Sequence, residues 1–82
     1  MDLRQLFASR KAWAGSTRAM AERATAAGYP ISHVQLGKYA REGTDALPSE
    51  RTRKAIAAAL FGNAEKPAVD EVTAAALQSV AP

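Results

Sequence analysis

Breaks recur along this chain at intervals that suit helices and little else. Gly15-Ser16, the stretch from Gly28 to Ser32, the stretch from Glu42 to Ser49 and the stretch from Gly62 to Pro67 interrupt it. The five segments between them are all of helical length. Alanine, the best helix former, dominates several of them, and strand-forming residues are sparse. At 82 residues there is room for one small domain with a minimal core. The expectation is an all-α fold, a compact five-helix bundle spanning 1–82 as a single domain.

Local chemistry places the segments. Asp2 can cap a first helix running to about Ala14, with Leu3, Leu6 and Phe7 buried and Arg10 and Lys11 near its end. Trp13 has two readings, closing the core or standing partly exposed where the helix stops. Ser16 caps a second helix from Thr17 to Ala27, with Met20, Ala21 and Ala24 facing inward, and Gly28 ends it. Ile31 is apolar in a turn and should plug the core. Ser32 caps a third helix, His33 to about Arg41, burying Leu36, Tyr39 and Ala40. Gly37 inside that short helix costs roughly 1 kcal/mol against alanine and asks for a close approach, to DNA or to a neighbouring helix. Leu47 should anchor the following loop. Ser49 caps a fourth helix over 50–61, with Ile56 and Leu60 as its stripe and Ala57 or Ala59 beside them. A linker over 62–69 leads to a last helix over 70–79, capped by Asp70, in which Val72, Ala76 and Leu77 return to the core; Val80 to Pro82 should fray.

Composition removes several classes of function. There is no Cys, hence no disulfide, thiolate nucleophile or thiolate metal site, and one His cannot build a multi-imidazole centre. No apolar run is long enough to span a membrane, and the first residues lack the apolar core of a signal peptide. Ser32 and His33 are adjacent, which assembles no nucleophile–base arrangement, and no glycine-rich phosphate loop occurs. The expectation is therefore a non-enzyme without cofactor, metal or membrane partner, working in the cytoplasm. Charge is uneven. Residues 1–54 carry ten Lys or Arg against five Asp or Glu, a balance of +5; residues 55–82 carry one against three, a balance of −2. The basic stretch is a candidate surface for a polyanion.

Residues 17–41 make two short helices joined through Gly28 and Ile31, a pair able to stand steeply and offer its second helix to the DNA major groove. The run Ser16-Thr17-Arg18-Ala19-Met20-Ala21-Glu22-Arg23-Ala24, followed by Gly28, Ile31, Ser32, Leu36 and Tyr39, resembles the lambda-repressor-like helix-turn-helix family, the small Cro and phage-repressor type DNA-binding domains. Met20 and Ala21 match its apolar-Ala step, Ile31 and Ser32 its apolar residue before a polar cap, and Leu36 and Tyr39 its apolar pair three apart. Ile56 to Leu60 is similar to its fourth helix, and Asp70-Glu71-Val72 to the start of its last. The likeness runs from about Leu3 to Ser79. Thr17 stands where the family commonly has a phosphate-binding Gln, and the turn through Ala26-Ala27-Gly28-Tyr29-Pro30 is longer. The resemblance implies sequence-specific binding of double-stranded DNA in transcription control, as a repressor of phage or prokaryotic type and often as a homodimer.

Base-contact candidates are His33, Gln35 and Lys38, which carry hydrogen-bonding groups, and Val34, able to pack a thymine methyl. Phosphate-contact candidates are Thr17 and Arg18, at a helix start with free backbone N–H groups, together with Arg41, Arg51, Arg53 and Lys54. The last three load the first turns of the fourth helix with positive charge, against its dipole unless an anion is near. Lys54 can instead pair with Glu50. The alternative is a small helical protein-interaction module, an adaptor or inhibitor that does not bind DNA.

Overall fold

The computed structural model describes residues 1–80. Five helices follow one another: α1 Leu3–Ala14, α2 Thr17–Ala26, α3 His33–Glu42, α4 Glu50–Phe61 and α5 Lys66–Val80. No strand occurs among the described residues. The chain is all-α, as its punctuation indicates.

The first four helices start on a side-chain cap. The amide of Gln5 donates to Asp2 Oδ1 at 2.9 Å, and the amide of Asp2 donates to Gln5 Oε1 at 2.8 Å, a reciprocal capping box. Ser16, Ser32 and Ser49 accept from the amides of Ala19, Gln35 and Thr52 at 3.1, 3.0 and 3.2 Å. Each cap satisfies one N–H that a helix start otherwise leaves without a partner. At the other end of α4, Gly62 takes the left-handed conformation (φ +81°) and its N–H reaches Ala58 O at 3.0 Å.

The last helix begins earlier than its composition suggests. It starts at Lys66, so Pro67 lies inside its first turn and the linker shrinks accordingly. A proline there forfeits only an N–H that has no intrahelical acceptor in any case. Asn63 turns the chain by accepting from the amide of Glu65 at 3.0 Å, and Val69 N–H then closes on Glu65 O at 3.0 Å. Asp70 is consequently not a cap. It sits within the helix and pairs with Lys66 at 2.9 Å. Val80 is helical rather than frayed; Ala81 and Pro82, the rest of the segment expected to fray, lie outside the described residues.

Helix α4 is the axis of the core. It packs on α1, α2 and α5, and its unbroken run from Ala55 to Leu60 is buried on every side. Alanines at 55, 57, 58 and 59 let neighbouring helices come close. Around them stand Leu3, Leu6, Phe7, Met20, Leu36 and Val72. Tyr29, Ile31, Tyr39 and Ala40 close the edge as half-buried contacts. Two expected core residues lie outside. Leu47 is 44% exposed and Leu77 is 50% exposed. Five residues at about 100° each carry Leu77 roughly 140° round the helix from Val72, and Ala75 and Ala76 take the inward positions. Leu47 belongs to a loop whose turn is held by Thr44, which both donates to Ala46 O and accepts from its amide.

Two arginines finish helix ends from a distance. Arg23 Nη1 donates to Ala59 O at 2.7 Å and Ala14 O at 3.1 Å, and Arg10 Nε donates to Leu60 O at 3.1 Å. Both place a cation against the negative, C-terminal end of α4, and Arg23 does so for α1 as well. Trp13 is half exposed, with the Arg10 and Arg23 guanidiniums 5.1 and 4.7 Å from its ring centre. It therefore stands at the surface beside these arginines instead of closing the core. The chain ends meet too: Leu3 N–H donates to Ser79 Oγ at 2.9 Å, and the terminal amine to Gln78 Oε1 at 2.6 Å.

Candidate nucleic-acid interface

Helix α3 packs chiefly on α1 and α2. Its inward residues are Leu36 and Gly37, with Tyr39 and Ala40 half-buried. Opposite them, Val34 is 67% exposed, and Gln35, Lys38 and Arg41 are exposed. These four follow helical spacing along one wet face. His33 is half-buried in the first turn. Gln35 and Lys38 also border a concavity of about 290 Å³ with Tyr39, Thr44 and Asp45. The side chains there offer an amide and an ammonium as donors and a carboxylate as acceptor.

The remaining candidates fall into three groups. Thr17 and Arg18 open α2, the first half-buried and the second exposed. Arg41 folds back along α3 toward Thr17 and shares a cleft with it, into which Arg4 and Lys11 of α1 also open. In α4 the basic residues have different fates. Arg53 Nη1 donates to Thr73 Oγ1 at 3.0 Å and its Nε to Pro48 O at 3.1 Å, tying α4 to α5 and to the preceding loop. Lys54 lies 3.0 Å from Glu50. That hydrogen bond first, and the opposite charge second, hold the Glu50 carboxyl below its ordinary range and lift the Lys54 ammonium above its own. Arg51 alone of the three is exposed with no hydrogen bond or ion pair to another described residue. Of the three charges at the start of α4, only that of Lys54 meets an opposite charge within the fold; Arg53 meets neutral acceptors.

Arg4 and Lys11 are the basic residues that sequence reasoning passed over. Seven positions apart, they lie on one face of α1, and that spacing was the available signal. Its meaning depends on α3 lying against α1, which local patterning does not reveal. The acids Glu65, Asp70 and Glu71 belong to α5 and its approach, which pack on α1 and α4. Among the described residues no helix is long and apolar enough to cross a membrane, and no group of His, Cys, Asp and Glu is arranged to hold a metal ion.

Comparison with known proteins yields no relative: no family model, no curated protein and no solved structure matches this chain.

Proposed function

We propose that this chain is a helix-turn-helix protein of the lambda-repressor-like kind. On this reading it binds double-stranded DNA by laying α3 in the major groove and acts as a transcriptional regulator of the repressor type. One observation carries the reading. Helix α3 is fixed from behind by Leu36 and Gly37, while Val34, Gln35, Lys38 and Arg41 line its wet face. A groove about 12 Å wide admits one helix with its side chains. Gln35 and Lys38 supply donors for base edges, and Val34 an apolar contact for a thymine methyl. Thr17 and Arg18 flank the groove from α2 as phosphate contacts, and Arg51 adds a third from α4. Arg53 and Lys54 contribute less, because each already serves a partner inside the fold.

The test is duplex binding across a salt series, followed by selection of bound sequences from random duplex DNA. Binding that falls steeply with salt, together with a recovered consensus, supports the reading; half-site spacing in that consensus reports whether two copies bind as a dimer. The second reading, a protein-interaction module, draws on the apolar exposure of Val34 and Leu47. It prevails if no duplex is retained at low salt and a protein partner binds in its place.

A further inference from the structure

Two glycines of α3 and its C-terminal end lie beneath basic side chains. Gly37 is buried within the helix. A Cβ added there would stand 3.1 Å from Arg41 Nη1 and 4.0 Å from Thr17 Cγ2. The absent side chain leaves a slot on the backbone, and the Arg41 guanidinium lies in it, one turn back along its own helix. Gly43 does the same for Arg4 of α1. A Cβ there would meet Arg4 Cγ at 3.4 Å and Cδ at 3.6 Å, at a backbone φ of +67° that side chains rarely accept. One arginine from each helix therefore lies close against the α3 backbone.

Both arginines open into a single cleft of about 280 Å³ between α1, α3 and the start of α2. Lys11 joins them, with Ser16 and Thr17 at the rim and no acidic residue in the lining. None of the three cations makes a hydrogen bond or ion pair with another described residue. Lys11 and Arg41 occupy last turns, where a cation suits the helix dipole. Arg4 occupies a first turn, where it does not. Three like charges converging on one concavity repel one another, and their packing supplies no compensation. An anion in the cleft does.

We propose that this cleft seats one phosphate of the DNA backbone, held by Arg4, Lys11 and Arg41, with Gly37 as the positioning residue that keeps the Arg41 guanidinium in place. The inference rests on the DNA-binding reading and extends the contact surface from α2 and α3 to α1. It is tested by duplex binding of the intact chain and its variants over a salt series. The Arg4→Ala/Lys11→Ala variant should bind every sequence about tenfold more weakly, with a log–log salt slope shallower by about 0.9, the value for one phosphate contact. Gly37→Ala should raise the melting temperature, since alanine favours the helix, yet weaken duplex binding several-fold. Opposite signs in stability and affinity are what a purely structural role would not produce. The double variant alters exposed residues only, so it decides the matter even if Gly37→Ala disturbs packing. Wild-type binding with unchanged affinity and slope in the double variant overturns the phosphate seat and leaves the groove model standing. Absence of wild-type duplex binding at low salt removes both.

Discussion

Helices α3 and α4 start alike and finish in opposite surroundings. Each opens on a serine cap and carries basic residues. Yet α4 is enclosed from Ala55 to Leu60, whereas α3 buries Leu36 and Gly37 and leaves most of its surface wet. The difference lies in side-chain size. Alanines on every face of α4 let α1, α2 and α5 crowd round it. Helix α3 has a long polar or charged side chain at most of its outward positions and packs chiefly on α1 and α2. The enclosed stretch of α4 can do nothing but hold the fold. A helix held by one edge can meet a partner without unfolding its owner.

Substitutions should divide along the same line. Ile56→Ala, in the enclosed helix, should cost about 2–5 kcal/mol of stability, whereas Val34→Ala, on the wet face, should stay within about 0.5 kcal/mol. Urea unfolding of the two variants measures the contrast, and equal losses would break it. Next in size is Arg23→Ala, which removes charged hydrogen bonds to Ala14 O and Ala59 O. A loss of about 1.5–3 kcal/mol is expected, with Arg23→Lys recovering only part of it, since an ammonium lacks the planar guanidinium that lies over Trp13.

Lys38→Ala sharpens the comparison from the other side. Thermal melting should barely move, while discrimination among duplex sequences should fall by about 1–3 kcal/mol at one base position. Arg18→Ala should weaken all sequences alike. A Lys38→Ala protein with unaltered preference would deny α3 its reading role. The smallest effect concerns Glu50 and Lys54. The Glu50 pKa is lowered in the folded state, so its contribution holds at neutral pH and disappears as pH falls through the folded value; Lys54, raised, loses its contribution as pH climbs through its own. Glu50 is exposed and Lys54 partly so, and solvent screens the pair, so the Lys54→Ala variant should differ from wild type only slightly in acid melting curves.

What could be read from residues alone was local. Asp2, Ser16, Ser32 and Ser49 are caps because each sits beside the helix it starts, and Gly28 and Gly62 end theirs for the same reason. The start of α5 was misread because Pro67 looks like a breaker unless it is known to fall in a first turn. Burial all round α4 was invisible, since alanine contributes little to a periodic pattern. Leu77 is apolar, but its angle from Val72, and not its hydropathy, decides that it faces outward. At the candidate interface, the wet stripe of Val34, Gln35 and Lys38 was legible from spacing. The fates of Arg10, Arg23 and Arg53 were not, because their acceptors lie on other helices or loops. Gly37 illustrates both halves: its oddity within a helix was plain, and only the fold shows Arg41 lying over it.

The most direct test follows the backbone amides of α3 by NMR while a duplex that the protein retains at low salt is added. The account predicts that the largest shifts fall on Val34, Gln35 and Lys38, with Thr17 and Arg18 next and Ala55 to Leu60 nearly still. Shifts confined to Val72 to Leu77 would contradict it.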